Sequence, residues 1–416
     1  MRFQTATGFL ALTLTVALTG QEPQRGGGGR GGRGNVQLPE GDGRDTVNAT
    51  CGTCHGLNVI TGAAGYTQDG WRDLISTMIR LPDPQQASVA QYLAAHFPPK
   101  PGRAPTLVPG DVNVTFREWI VPTLGQRSRD PLQTKDGMIW WNGQFISLVG
   151  SLDPRTSEMR EYKLDTESRP HSIVDDAAGN IWYMGNGNGT IGKLVPKTGE
   201  ITIFKMPDPA ARDPHTGIFD RNGTLFFTLQ QSNMIGRLNP QTGDIKLITL
   251  ATPRALPYGI KQDSKGTLWV SYNGSNKLAS MDPVTMEVRE HVLPDPASRS
   301  RRLAITSDDT VWFVNSSLGR LGRLNPKTDD VKEWPSPSGP RSHPYAIEVV
   351  DDIIWYNESG MRPDALVRFD PKTEKFQSWA LPSGVGIIRH MRKTPDGNLT
   401  VHQTSTNRIG LAMIKK

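Results

Sequence analysis

A small all-α domain followed by an all-β, seven-bladed β-propeller of four-stranded blades is the architecture this sequence predicts. Three observations point to it. From about Pro131 onward the chain repeats with a period of ~40 to 45 residues. Each repeat holds four short β-type runs divided by turn residues. The segment before the repeats carries helical rather than strand periodicity. At 36% hydrophobic, the 416 residues can bury a real core. No apolar run reaches the ~20 residues of a membrane span, so none is expected.

Taken in chain order, "MRF" and then "GFLALTLTVALTG" read as the basic and apolar regions of a cleaved export signal, residues 1–20. This predicts a periplasmic or secreted protein. Gln21 stands where a lipid-anchored chain would have cysteine. Residues 21–42 include "RGGGGRGGRG", read as a flexible linker. No aromatics interleave its arginines and the net charge is only +6, so no nucleic-acid partner is expected.

The only two cysteines lie in "CGTCH". A disulfide framework needs more cysteines, and a zinc site needs four ligands. C-x-x-C-H is the spacing of covalent haem attachment, with Cys51 and Cys54 as thioether positions and His55 on the iron. Downstream, Trp71, Leu74, Ile75, Met78 and Ile79 share one helix face behind an N-cap at Asp69. Val89, Tyr92, Leu93 and His96 mark a second helix. With "CGTCHG", these patterns make residues 43–98 resemble a class I c-type cytochrome domain. The resemblance implies one covalent haem c and a periplasmic redox partner. Met78 is the expected sixth ligand, with His96 as the substitute. Residues 99–113 read as a proline-rich linker.

The repeats begin "PHSIVDDAAGNIWYM" at Pro170, "PHTGIFDRNGTLFFT" at Pro214 and "PYGIKQDSKGTLWVS" at Pro257. Weaker copies start near Pro131, Ser300, Pro344 and Ile388. Trp182, Phe226, Trp269, Trp312 and Trp355 recur on the second strand and are expected between blades. The seventh unit has no fourth strand. "VTFREWIVP", Val114 to Pro122, resembles an outer strand and is expected to supply it, closing a propeller of residues 114–416.

"PHSI", "PYGI", "IGRLNP" and "IWY" resemble the virginiamycin B lyase (streptogramin lyase) family. That resemblance implies a magnesium-dependent elimination that opens a cyclic depsipeptide ester. Its catalytic histidine opens the last blade, and a glutamate after that blade's second strand helps hold the metal. Here the last blade reads "IIRHM", with Arg389 at the histidine position and His390 beside it. Tyr345 replaces the histidine one blade earlier, preceded by His343, and Glu358 takes the glutamate position of that sixth blade. His171, His215, Tyr258, Tyr345, Glu358 and His390 are the candidate catalytic residues, with Arg301 and Arg389 on the same face. One clear carboxylate among histidine, tyrosine and arginine suits a polar or anionic ligand better than Mg2+. The expectation is an exported mono-haem electron-transfer protein whose propeller mouth binds a small-molecule substrate or partner. The alternatives are a depsipeptide C–O lyase and a non-catalytic binding module.

Overall fold

The structure, a computed structural model, describes residues 36–53, 57–62, 66–98, 103–384 and 386–415. The expected export signal, Cys54 and His55 lie outside them. Four helices come first: α1 (Arg44–Thr50), α2 (Leu57–Gly62), α3 (Gln68–Ser76) and α4 (Asp83–His96). They enclose a cluster of Val47, Trp71, Leu74, Ile75, Val89 and Leu93. Thr67, not Asp69, caps α3, its side chain accepting from the Gly70 N–H at 3.2 Å. The helix also stops one turn before the periodicity suggests. Thr77 Oγ1 donates to the Leu74 carbonyl at 2.7 Å, which ends the ladder. Met78 therefore sits half-buried in a turn, and Ile79 is exposed. His96, expected on the packed face of α4, is exposed beside the Tyr92 ring.

The rest is seven antiparallel four-stranded sheets in a ring. Two local devices repeat. Before the second strand, a turn aspartate accepts from backbone N–H groups and from the core tryptophan. Asp176 takes Ala178 N, Asn180 N and Trp182 Nε1, and Asp263 does the same for Lys265, Thr267 and Trp269. In the third strand a glycine faces an aromatic of the second. A Cβ on Gly192 would come within 2.0 Å of Tyr183, and one on Gly236 within 2.3 Å of Phe227. Blade 4 has the smaller Val270 opposite Ala279 instead. Trp182, Phe226, Trp269, Trp312 and Trp355 are all buried, as the repeat predicts.

The ring closes with Asn113–Ile120 paired antiparallel to Arg408–Lys415, from Asn113 opposite Lys415 to Ile120 opposite Arg408. The preceding segment is no free linker. Val108 and Ser378 exchange two bonds of 2.9 Å, and Gln377 holds Val112, strapping the chain to the outer strand of blade 6. The helices rest on the face where first strands begin. Asn407 donates to the Thr77 carbonyl at 3.1 Å, and Arg408 Nη2 reaches both carboxylate oxygens of Asp73. Among the described residues no helix is long and apolar enough to cross a membrane.

Candidate functional site at the propeller mouth

The second residue of each first strand reaches the mouth: Arg129, His171, His215, Tyr258, Arg301, Tyr345 and Arg389. A bulge in each first strand turns them inward, as between Pro170 and Ile173 in blade 2. A polar residue on the neighbouring second strand then fixes the next blade's backbone. Thr228 Oγ1 donates to the Tyr258 carbonyl, Ser271 Oγ to Arg301, and Asn357 Nδ2 to Ile388.

His171 and His215 lie side by side, with ring centroids 3.6 Å apart and planes tilted by 35°. The His171 Nδ1 is 2.9 Å from the His215 carbonyl, and the His215 Nδ1 is 2.9 Å from Thr216 Oγ1. Burial, helped by Arg129, holds both well below the usual histidine range, so both rings are neutral. His390 is equally buried and turned away from the mouth, 3.1 Å from Asp130 Oδ2. Arg302 lies 3.6 Å and Arg129 3.7 Å from Asp130 Oδ1. Burial would raise the Asp130 carboxyl, but His390 and Arg302 outweigh it and hold it well below the carboxylate range.

Across the ring, the Tyr258 and Tyr345 hydroxyls share a short hydrogen bond. Arg389 Nη1 donates to Tyr345 at 3.1 Å, and the Arg301 guanidinium stands 4.6 Å over its ring. Burial would push the Tyr345 phenol up, but Arg389 and Arg301 prevail and bring it down to about 6. Tyr345 borders a cavity of about 630 Å³ lined also by Arg103, Arg301, Arg341, His343 and Arg389. Burial takes His343 down to about 4.

Glu358 does not join this group. It is fully buried and its carboxylate accepts from the Ser338 N–H and hydroxyl, which fixes a loop rather than facing a ligand. Among the described residues no group of three or more His, Cys, Asp or Glu side chains could hold a metal. Glu358, the carboxylate at the position expected of a magnesium ligand, is thus committed to Ser338. Arg129 and Asp130 were missed because the first blade was aligned on Pro131. The bulge there, between Arg129 and Leu132, starts the strand at Ser128. Aligning "IWWNG" with "IWYMG" would have found them.

One constellation elsewhere mimics a hydrolytic triad: Ser280 Oγ is 2.9 Å from His291 Nε2, and His291 Nδ1 is 2.6 Å from Asp329. Asp329 is also bound by Arg289, and His291 stands where the next blade has Trp334 bonded to Glu374. It is a tie between blades.

The Virginiamycin B lyase family profile matches residues 112–358, more than half of the chain, and the chain belongs to that family. Among solved structures, a streptogramin B lyase superposes with a TM-score of 0.66 at 23% identity, over 73% of this chain and 98% of that one. Virginiamycin B lyase from Staphylococcus aureus gives 0.66 at 20%, over 72% and 99%. Kuenenia stuttgartiensis hydrazine synthase gives 0.56 at 13%, over 70% and 96%. At these identities the likeness is one of fold. A search of the curated proteins finds no match for this sequence.

Proposed function

We propose that this chain is an exported mono-haem c protein whose lyase-family propeller binds a small-molecule substrate or partner and whose helical module exchanges electrons with a periplasmic redox partner. The observation that supports the reading is the seat of the helical module that carries Cys51: Thr77 and Asp73 bind it to the face on which the mouth opens. Cys51 and Cys54 would hold the haem covalently, and His55 and Met78 would ligate its iron. Bound there, the group would supply one-electron chemistry. The residues fit it in two respects. Cys51 and Met78 are half-buried against one apolar cluster, whereas His96 is exposed. The Trp71 Nε1 in that cluster is buried with no acceptor among the described residues, which a propionate-bearing group would provide. The expected outcome is protein that keeps its pigment through denaturing extraction when made with haem c maturation, and loses it in Cys51→Ala/Cys54→Ala. Colourless wild-type protein would refute the reading.

The family match supports a second reading, a C–O lyase acting on cyclic depsipeptide esters. Against it, Arg389 stands where the resemblance requires a histidine, and the aligned glutamate, Glu358, is committed to Ser338. Arginine stays protonated and cannot serve as a base near neutral pH. Streptogramin B ester opening is expected to stay at background with or without magnesium. Opening that chelator abolishes and magnesium restores would establish the lyase instead.

A further inference from the structure

We infer that the cavity between blades 5 and 7 binds an organic anion through its carboxylate, with Arg301 and Arg389 taking the charge and Pro340, Met361 and Ile387 supporting an apolar body. This rests on the mouth being the ligand site and names the ligand's class. About 630 Å³ is room for a molecule of ordinary ligand size. Its lining includes four guanidinium groups and no carboxylate. The Nε atoms of Arg301 and Arg389 are buried and make no hydrogen bond among the described residues. Other channel arginines also keep one donor unmet, at Arg129 Nε, Arg302 Nη2 and Arg392 Nε, but Arg129 and Arg302 have the Asp130 carboxylate within 3.7 Å and none of the three lines the cavity. A buried charged donor left unmet costs more than a neutral one, and a carboxylate matches the guanidinium fork. Inorganic phosphate would satisfy the charge but leave the apolar lining uncovered.

Tyr345 makes the site report its own occupancy. Facing it are Tyr258, Arg127, Arg129, Arg301, Arg389 and, with ring centroids 6.0 Å apart, His343. The arginines favour its phenolate. An anion that neutralises Arg301 and Arg389 withdraws that support, so Tyr345 takes up a proton as the ligand binds. As long as the ligand stays ionised, affinity is therefore highest below the free protein's Tyr345 value, about 6, and falls as pH rises above it.

The test is calorimetric titration of the full-length protein with benzoate, phthalate and inorganic phosphate, in buffers of different ionisation heat to count protons. Saturable binding of the aromatic carboxylates with proton uptake and a loss of tyrosinate absorbance is expected. Arg301→Gln and Arg389→Gln should each weaken it about tenfold or more. Tyr345→Phe should abolish the proton uptake. Should an arginine variant fail to fold, the proton count with Tyr345→Phe still decides. Carboxylate binding indifferent to the arginines, binding without proton uptake, or saturation by phosphate alone would overturn the inference. Repeating the titration on Cys51→Ala/Cys54→Ala separates it from the haem reading: a colourless protein that still binds carboxylates refutes only the latter.

Discussion

Blades 2 and 3 present His171 and His215 from the same strand position at which blades 5 to 7 present Arg301, Tyr345 and Arg389, yet the two arcs complete their bonding differently. The histidines spend their Nδ1 atoms on protein oxygens and lie ring against ring. The arginines keep buried Nε atoms unmet and border a cavity. Between the arcs, Asp130 gathers His390, Arg302 and Arg129 in a buried ion cluster. A repeated strand supplies the same placement seven times; what each blade does with it depends on whether a neighbour offers an acceptor.

The largest effect would come from cutting the join between the arcs. Removal of residues through Val121 deletes the closure strand and exposes two sheet edges, so cooperative melting should be lost. Removal through Gly102 keeps that strand and the strap on blade 6, and should leave a propeller that melts cooperatively. Identical melting of the two truncations would place the closure elsewhere. Next comes the cluster itself. Asp130→Ala strands buried cations without their counter-charge and should cost about 3–5 kcal/mol in denaturant unfolding. Because the folded carboxyl is held low, the stability it gives is present above the unfolded value near 3.9 and lost as pH falls through the folded one. A loss under about 1 kcal/mol would mean that Asp130 does not hold the arcs together. The smallest effect tests the histidine arc alone. Burial keeps His215 neutral while the unfolded chain protonates near 6.5, so stability declines as pH drops below that value. His215→Gln should remove about 1.4 kcal/mol per pH unit of that decline. An unchanged slope would show that its ring is charged in the fold.

The blades were legible because their devices are local. The turn aspartate and its tryptophan lie six residues apart in "DDAAGNIW", and the closure strand announced itself as a missing element. The mouth was legible wherever proline precedes its residue, as at His171, His215, Tyr258 and Tyr345. It was not legible at Arg129, where Ser128 takes the place of the proline and Pro131 lies further along the strand. Glu358 misled because its partner Ser338 is a loop residue with no pattern linking the two. Arg103 and Arg341 likewise arrive from loops whose paths no periodicity fixes. The early end of α3 hangs on one threonine hydroxyl, which helical spacing does not register.

Pairing Asn113–Ile120 with Arg408–Lys415 also sets the tempo of assembly. Six blades are built from neighbouring strands and can form as soon as their residues exist. The seventh must wait, since its outermost strand is made first and its partner last, about 290 residues later. The closing of that one long loop is the step expected to be slow. Substitutions within the clasp will therefore change how long an open ring persists more than the shape it reaches once shut.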